Sequence, residues 1–394
     1  MSLPQLEVNA PGFLDDQDQL LDAARARHPF AVSERGVEIL GYPECQALLR
    51  DRRAQKDHMA LVERLGITDP EVIAYKRRIL VGQRLDANRD RMRSVLSRAM
   101  SARRMDRLRA ETRSAVHRIL DGIPARRPVD FVTEVASLVP STFFCRWVGL
   151  PEEDARFVSA LSDVMLKIFW MDPAYTERIE AAYSRLFAYM DRQLDTLRSD
   201  REEGFLAHLA REQRDGNVNP TEVRDWVIFA LEGSTDNTVH QIALLLGRLL
   251  ETPSLWDQVR RDPALVDIVT DESMRLDART RAIHRLAADD IEVPGGVIRT
   301  GTDMFFWVRA AHLDPRAFPQ PHRFDIHRQR TPGHLMFGRG PYSCLGRWMA
   351  RMEVQETLRA VLERFPGVRL AGVPRRSVDM FSLAAEYLPV VLEP

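Results

Sequence analysis

One cysteine, Cys344, lies among several glycines in the stretch "FGRGPYSCLGRW" (residues 337–348). The residues after it show helical periodicity without a helix breaker, which predicts an amphipathic helix beginning near Leu345. The positive end of a helix dipole stabilises a thiolate, and backbone N–H groups of a tight loop can donate to its sulfur. A lone thiolate in this position suits metal ligation or nucleophilic catalysis. Cys45 and Cys145 lack such surroundings, and we expect both to be small buried hydrophobic residues.

A second stretch, "ALEGSTDNTVHQI" (residues 230–242), places polar residues inside an otherwise apolar helical pattern. Asn219 as N-cap and Pro220 at the first helical position predict the start of this helix. The periodicity continues to residue 251, so we expect one helix of about 48 Å, at about 1.5 Å per residue. Its polar run would lie near the centre of the molecule, where unsatisfied polar groups are costly. A segment that breaks local rules in a core helix is a candidate functional site.

The composition is that of an ordinary globular protein, with 394 residues, 45% hydrophobic and 29% charged. The 56 basic residues nearly balance the 57 acidic ones, which argues against a nucleic-acid-binding protein. An odd number of widely spaced cysteines predicts neither a disulfide framework nor a CxxC metal site, and fits a reducing cytoplasm. No signal-peptide pattern and no run of about eighteen apolar residues occur, so we expect a cytoplasmic protein that does not span a membrane.

We interpret residues 1–394 as a single domain, because no repeat, low-complexity tract or flexible linker divides them. Helical periodicity dominates, and it predicts helices over residues 85–100, 107–121, 152–168, 174–198, 220–251 and 346–364. Strand-like pieces are few and short, over residues 30–40, 291–308 and 387–393. A mainly α protein with small antiparallel β-sheets is therefore expected.

The cysteine stretch, Phe337-Gly338-x-Gly340-x-x-x-Cys344-x-Gly346, resembles the haem-binding loop of the cytochrome P450 family at all five positions. This resemblance implies the triangular, mainly helical cytochrome P450 fold with small antiparallel β-sheets. It also implies haem b as the cofactor, with Cys344 as the axial thiolate ligand and metal-binding residue. Phe337, Gly338 and Gly346 are then expected to surround the cofactor.

Further segments resemble the same family in the same order along the chain. Arg89 and Arg93 occupy the positions of a His-x-x-x-Arg motif that contacts the haem propionates, and Arg285 matches another propionate partner. Tyr342 stands where the family often has His or Arg, so it could donate one hydrogen bond to the cofactor but supplies no positive charge.

An ion-pair motif of the family is also matched. Glu272 and Arg275 resemble its Glu-x-x-Arg pair, which the i, i+3 spacing places on one helical face. By the same resemblance, Arg323 in "FPQPHRFD" is expected to be the third member of that charge network.

The polar run corresponds to the family's oxygen-activating pattern, Ala-Gly-x-(Asp/Glu)-Thr. Aligned on Gly233, the chain has Glu232 for the alanine, Thr235 for the acid and Asp236 for the threonine. Three interpretations remain open. Asp236 and Thr235 relay protons in exchanged roles in an ordinary monooxygenase, or the enzyme catalyses oxidative coupling, peroxide-driven oxidation or another haem-mediated transfer, or the protein is a non-catalytic haem binding module.

Glu232 also suggests a substrate. A carboxylate beside the substrate cavity is costly unless paired, so we hypothesise that Glu232 pairs with a cationic amine of the substrate. A small amine-bearing compound or a carrier-protein-bound aminoacyl intermediate of secondary metabolism would fit, with hydroxylation as the reaction.

Electrons must come from outside the chain, because it has no flavin or iron–sulfur motif. The resemblance therefore implies a ferredoxin-type donor and its reductase as partners. A basic docking face is expected from arginines near the cysteine loop: Arg98, Arg103, Arg104, Arg339, Arg347 and Arg351.

Overall fold

The computed structural model describes residues 3–56, 62, 65–81, 85–170, 172–197, 204–329 and 332–393. Its α-helices in chain order are α1 (Gln17–Arg27), α2 (Tyr42–Leu48), α3 (Pro70–Val81), α4 (Ala87–Ala99), α5 (Ala102–Asp121), α6 (Leu138–Val148), α7 (Ala155–Met165), α8 (Thr176–Leu197), α9 (Phe205–Arg214), α10 (Pro220–Ser234), α11 (Asp236–Glu251), α12 (Pro253–Arg261), α13 (Val266–Leu276), α14 (Val308–His312) and α15 (Arg347–Arg364). Short 3₁₀ segments cover Glu152–Asp154, Leu166–Trp170, Pro173–Tyr175, Pro263–Leu265 and Gly340–Tyr342, and a π-helical turn covers Val132–Ala136.

The strands are short: β1 (Phe30–Ser33), β2 (Gly36–Ile39), β3 (Ala54–Gln55), β4 (Pro128–Asp130), β5 (Ile283–Ala287), β6 (Ile291–Val293), β7 (Gly296–Ile298), β8 (Asp303–Phe306), β9 (Gly367–Leu370), β10 (Arg375–Val378), β11 (Leu383–Tyr387) and β12 (Pro389–Glu393). The predicted mainly helical class with small sheets is confirmed, because helices dominate and the larger sheet has only five strands.

The chain divides into two compact units. The first unit comprises Met1–Lys56, Ala243–Cys344 and Gly372–Leu388, and the second comprises Asp57–Ile242, Leu345–Ala371 and Pro389–Pro394. The interpretation of the whole chain as one domain stays a prediction.

The first unit is built on a sheet in the order β1-β2-β8-β5-β3. Its pairs are antiparallel except for β2 and β8, which run parallel, with Val37 opposite Met304. The β1–β2 hairpin turns at Gly36, whose φ is +145°. A Cβ there would lie 2.2 Å from the carbonyl oxygen of Asp303, so only glycine allows this approach of β2 to β8. The buried side chains of Ile39 and Phe306 pack in the core of this unit.

The second unit is mainly helical, and α5 packs along α15. Both helices bury apolar residues at helical spacing, including Met105 and Val116 of α5 and Met352 of α15. Arg109 and Arg113 of α5 pair with the buried carboxylate of Glu356 in α15, at 2.9 and 2.7 Å. The helix predictions for residues 85–100, 107–121, 152–168, 174–198 and 346–364 are thus confirmed, with shifts of a few residues at their ends.

The prediction of one continuous helix over residues 220–251 was wrong. Its start is confirmed, because Asn219 and Glu222 form a reciprocal capping box, but α10 ends at Ser234 and α11 begins at Asp236. Thr235 stays in the right-handed helical region, but its φ of −87° and ψ of −70° lie at the edge of that region. The hydroxyls of Ser234 and Thr235 lie 3.2 and 3.4 Å from the carbonyl oxygen of Leu231, where they compete with the backbone hydrogen bond.

The predicted charge network of the first unit exists with a different third member. Arg275 pairs with Glu272 through two bonds of 2.7 and 2.9 Å. Arg328 supplies the second guanidinium, since its Nε lies 3.0 Å from Glu272 Oε1. The prediction of Arg323 was therefore wrong: its backbone carbonyl accepts from Arg275 and Arg328, while its own guanidinium donates to Gln320.

Candidate functional site

The cysteine loop of the first unit is a tight turn held by its glycines. Gly338 and Gly340 have φ values of +63° and +65°, which side-chain-bearing residues rarely adopt. A Cβ on Gly340 would lie 2.6 Å from the Cα of Arg50, so the loop can pack against the end of α2 only with glycine there. The N–H of Cys344 donates to the carbonyl of Phe337 over 2.8 Å, and this bond closes the loop. Gly346 then caps α15, which begins at Arg347.

Cys344 differs from the other two cysteines in its accessibility. Cys45 and Cys145 are fully buried, whereas Cys344 is partly exposed. Burial raises the pKa of the Cys145 thiol to about 12 and that of the Cys45 thiol well above its usual range. Neither buried thiol is therefore ionised at neutral pH, which confirms their interpretation as small hydrophobic residues and leaves Cys344 as the candidate ligand.

Arg285 is a buried cation in the same unit as the cysteine loop. It is 4% exposed, its Nη1 donates to the carbonyl of His284 over 2.6 Å, and its guanidinium carbon lies 5.0 Å from the ring centroid of Tyr342. Burial lowers the pKa of Arg285 to about 10, against a smaller opposing effect of Tyr342. No carboxylate pairs with Arg285 among the residues that the structure describes. A buried guanidinium of this kind is suited to an anionic ligand.

Arg89 and Arg93 lie on α4 in the second unit. Their i, i+4 spacing places both on one face of the helix. Arg89 is buried, and its Nη1 lies 3.0 Å from Oδ1 of the exposed Asp90. Asp86 caps the helix by accepting from the Arg89 N–H, which fixes the start of α4 directly before this arginine.

These residues fit a haem. A partly exposed thiol in a glycine loop suits iron ligation, and the buried cation Arg285 suits a carboxylate of the cofactor. Tyr342 is buried beneath the Arg285 guanidinium, so its ring orients that cation while contributing no charge. The part of the chain that the structure describes contains no cluster of three or more His, Cys, Asp or Glu side chains that could hold a metal ion alone.

Glu232 in the polar run has a partner within the chain. Its carboxylate accepts from Lys76 Nζ at 3.1 and 3.2 Å, from the Tyr75 hydroxyl at 3.0 Å and from the Tyr183 hydroxyl at 2.7 Å. Burial, and then the nearby carboxylate, raise the pKa values of both tyrosines well above their usual range, so both hydroxyls are donors. The hypothesis that a substrate amine supplies the counter-charge of Glu232 is corrected, since Lys76 supplies it.

The residues after Glu232 point in different directions. Gly233 is exposed, and a Cβ there would meet nothing within 4 Å. Thr235 is buried, and its hydroxyl lies 2.6 Å from that of Ser162 in α7. Asp236 lies 3.3 Å from His240, one turn further along α11. Thr235 and Asp236 therefore contact different groups, and their exchanged roles in a proton relay stay a prediction.

Sequence reasoning missed Glu353, a buried carboxyl group on α15. It is 0% exposed, and neither of its carboxylate oxygens has a hydrogen-bond partner within the described residues. Burial raises the pKa of Glu353 well above its ordinary value of 4.5. Because Glu356 lies three residues later, paired with Arg109 and Arg113, the helical spacing alone could not distinguish the two environments.

Replacing Glu353 by glutamine should change how stability depends on pH. The folded protein holds a proton at Glu353 that the unfolded chain releases above about pH 4.5, so wild-type stability falls as pH rises, by up to about 1.4 kcal/mol per unit. Glu353→Gln removes this loss, and its free energy of unfolding should exceed the wild-type value increasingly from pH 5 to pH 8. Urea titrations at several pH values measure the difference.

Glu356→Gln on the same helix is the matched control. It removes the ion pairs of Glu356 with Arg109 and Arg113, and the longer one of 3.6 Å with Arg359, and should destabilise the protein at neutral pH. A wild-type curve parallel to that of Glu353→Gln across this pH range would show that Glu353 does not hold a proton in the folded state.

Several arginines of the expected docking face make contacts within the chain. Arg98 pairs with Glu212 at 2.7 Å in the second unit. In the first unit, Arg339 donates to the carbonyl oxygens of Gly333 and His334 at 3.2 and 2.9 Å. Arg103 and Arg104 are exposed. The basic face itself stays a prediction.

Among the helices of the described ranges, none has the length and apolarity needed to cross a bilayer.

Comparison with known proteins gives consistent matches. The family model described as "Cytochrome P450" matches residues 155–368. Luteothin monooxygenase of Streptomyces thioluteus is 29% identical over 94% of this chain and 91% of its own length. Cytochrome P450 GfsF of Streptomyces halstedii is 31% identical over 85% of this chain and 81% of its own. A solved structure of P450BioI in complex with a hexadec-9Z-enoic acid ligated acyl carrier protein is 24% identical, covers 97% of this chain and 100% of that one, and has a TM-score of 0.87.

Proposed function

The chain belongs to the cytochrome P450 family, and on that premise we propose that Cys344 is the iron ligand of a haem-thiolate monooxygenase acting on a small intermediate of secondary metabolism. Its homologues are named monooxygenases, and the chain is an oxidoreductase of this kind. The single observation that carries the assignment of the ligand is the partly exposed thiol of Cys344 in its glycine loop, in contrast to the two fully buried cysteines.

The first task of the chain is to hold the cofactor. We assign the propionates to Arg285, Arg89 and Arg93, because buried or partly buried guanidiniums bind carboxylates strongly where water is excluded. Phe337, Gly338 and Gly346 would border the thiolate. When bound, the haem iron supplies the activation of dioxygen, and a thiolate ligand favours cleavage of the O–O bond.

The second task is to leave room for the reaction while supplying protons. Gly233 is exposed and a Cβ there would meet nothing within 4 Å, so this position leaves open space beside the helical segment. Asp236 is the carboxylic acid of the polar run and is the proposed proton donor. Glu232 orients the segment rather than the substrate, because Lys76, Tyr75 and Tyr183 already occupy its carboxylate.

The proposed substrate class rests on the relatives of the chain and not on Glu232, whose carboxylate is paired with Lys76. Relatives of the chain are monooxygenases of secondary metabolism, which supports a small biosynthetic intermediate. A carrier-protein-bound acyl or aminoacyl intermediate is the second candidate, favoured by the fold shared with a P450 whose structure holds an acyl carrier protein. Titrating the same acyl group free and carrier-linked, with the haem absorption shift as the readout, would distinguish the two.

Removing the Cys344 thiol should abolish the spectral signature of a haem-thiolate protein. We expect the reduced wild-type protein to show a Soret band far to the red after addition of carbon monoxide, and Cys344→Ala to lose that band. Cys145→Ala is the matched control and should keep it, because that thiol is buried and un-ionised. If Cys344→Ala retained the red-shifted band, the assignment of the ligand would be wrong.

Turnover distinguishes monooxygenation from the alternatives. The proposed activity requires dioxygen and electrons from a ferredoxin-type donor with its reductase, and it inserts one oxygen atom into the product. Products formed with peroxide alone, or without oxygen insertion, would instead support oxidative coupling or peroxide-driven oxidation. A protein with the red-shifted band but no dioxygen consumption would be a haem binding module.

A further inference from the structure

A cleft of about 700 Å³ opens on the second unit. The end of α3, the start of α4 and the first two turns of α10 line it. Three of its lining side chains, Ile79, Met92 and Trp226, are apolar and between 3% and 5% exposed, so they form its inner wall. A volume of this size lies within the range of protein pockets that hold drug-sized ligands, and such pockets combine apolar walls with a few polar groups.

The two carboxylates of the cleft are already paired within the chain. Both oxygens of Asp225 accept from Arg78, from its Nε at 2.5 Å and from its Nη2 at 3.3 Å. Both oxygens of Glu222 accept from Arg91, and its Oε2 also accepts from the Asn219 N–H at 2.9 Å. Neither carboxylate therefore needs a cation from a ligand.

Hydrogen-bond donors of the cleft are left over after this pairing. The Arg77 guanidinium is exposed at the rim and has no hydrogen bond or ion pair among the residues that the structure describes. Asn88, also exposed, accepts from Arg91 through its Oδ1, so its Nδ2 hydrogens can still be donated. With Arg91 included, the cleft has three guanidiniums and two carboxylates, and its surplus charge is positive. The uncommitted groups thus favour an anion.

We propose that this cleft is a binding site for a small aromatic carboxylate. The ring of the ligand packs against Trp226 and Met92, because aromatic rings make favourable contacts with other rings and with thioether sulfur. Its carboxylate accepts from Arg77 and from the side-chain amide of Asn88, and a guanidinium can bind a carboxylate through two parallel hydrogen bonds. A cationic ligand of the same shape is repelled by the surplus positive charge.

The cleft uses a different face of α4 from the arginines assigned to the haem propionates. Asn88 and Met92 are four residues apart and share one face of the helix. Arg89 and Arg93 each follow one residue later, about 100° further around the helix. A carboxylate in the cleft therefore leaves both arginines available to the cofactor, and the two ligands can be bound together.

Binding of 2-naphthoate to the reduced, carbon-monoxide-bound protein tests the site, with the neutral 2-naphthamide as a probe of the same shape. In equilibrium dialysis at neutral pH, we expect the carboxylate to bind at least about tenfold more tightly than the amide, since only the carboxylate forms charge-assisted hydrogen bonds. With 5-fluorotryptophan incorporated, the ¹⁹F resonance of Trp226, assigned by its disappearance in Trp226→Phe, should shift with the dissociation constant found by dialysis. The resonance of Trp147, which does not line the cleft, should stay in place, and so should the carbon monoxide Soret band.

Charge changes at exposed positions distinguish the cleft from the rest of the surface. Arg77→Glu should weaken the binding of 2-naphthoate about tenfold or more and leave that of 2-naphthamide nearly unchanged. Arg107→Glu makes the same charge change on α5, outside the cleft, and should alter both dissociation constants by less than about twofold. Asn88→Asp retains the oxygen that accepts from Arg91 and should also weaken the binding of the carboxylate selectively.

Equal affinities for the two probes, no binding of 2-naphthoate below about 10 mM, or equal dissociation constants in Arg77→Glu and Arg107→Glu would overturn the proposal. So would a shifted Soret band with an unmoved Trp226 resonance, because the probe would then lie at the haem. Neither probe needs turnover, so these results would leave the proposed monooxygenase activity standing, and a protein without that activity could still bind 2-naphthoate.

Discussion

Replacing Arg328 by methionine should lower the free energy of unfolding by about 3 kcal/mol, whereas the same change at Arg323 should alter it by less than about 0.5 kcal/mol. Arg328 is the second guanidinium on the buried carboxylate of Glu272, with its Nε 3.0 and 3.2 Å from the two oxygens. It also donates to the carbonyl oxygens of Pro319, Gln320 and Arg323. Removing it leaves the Glu272 carboxylate, whose side chain is 4% exposed, with fewer donors in a poorly solvated place.

Arg323 contributes to the same network through its backbone only. Its carbonyl oxygen accepts from Arg275 at 3.0 Å and from Arg328 at 3.1 Å. Because this oxygen belongs to the backbone, a side-chain substitution leaves it in place. Its guanidinium is exposed and, among the residues that the structure describes, donates to the Gln320 side chain at 3.3 Å. The two arginines therefore form a matched pair in which one side chain is structural and the other is not.

Urea titrations followed by tryptophan fluorescence and by Soret absorption measure the effect, and coincident transitions justify a single free energy for each variant. Arg328→Lys should recover part of the lost free energy of unfolding. A lysine keeps a positive charge beside Glu272, but it lacks the forked geometry of a guanidinium. Equal destabilisation by Arg323→Met and Arg328→Met would mean that the Arg323 side chain is a member of the charge network after all.

The sequence was sufficient where the determining interactions are local. The capping box of Asn219 and Glu222 fixes the start of α10, and the i, i+3 spacing fixes the pairing of Glu272 with Arg275. The cysteine loop is equally local, because its positive φ angles require glycine at fixed distances from Cys344. In each case the residues that contact one another are within about ten positions, and their types restrict the geometry.

The features that could not be predicted from the sequence depend on contacts between distant segments. Both Arg323 and Arg328 are arginines of one loop, and only the folded path of that loop decides which guanidinium reaches Glu272. At the bend, the Thr235 hydroxyl lies 2.6 Å from that of Ser162, which is 73 positions earlier in the chain. Periodicity cannot predict such a contact, because the residues flanking the bend remain compatible with one continuous helix.

Replacing Lys76 by methionine should lower the free energy of unfolding by about 3 kcal/mol, because it leaves the carboxylate of Glu232 without its counter-charge in a site from which water is largely excluded. The side chains of Lys76 and Glu232 are 9% and 14% exposed, so solvent screens their attraction only weakly. Tyr75 and Tyr183 still donate to the carboxylate in the variant, but two neutral donors do not replace a cation.

The pair joins α3 to α10, and a second ion pair reinforces the same contact. Arg78 Nε lies 2.5 Å from Asp225 Oδ2, two turns before Glu232 on α10. The two pairs differ in exposure, since the Arg78 side chain is 39% exposed. Removing Arg78 leaves Asp225, whose side chain is 1% exposed, with the Arg224 Nε still 3.8 Å away, whereas removing Lys76 leaves Glu232 with two neutral tyrosine donors. Arg78→Met should therefore cost less than Lys76→Met.

A double-mutant cycle isolates the interaction of the inner pair. Lys76→Met and Glu232→Gln together should be less destabilising than the sum of the single changes by about 2 kcal/mol, since the double variant has no unpaired buried charge. Arg77→Met, an exposed neighbour on α3, serves as the control and should be nearly neutral. Lys76→Met as mild as Arg77→Met, or additive single changes, would mean that Glu232 is not held by Lys76 and that its carboxylate is available to a substrate cation after all.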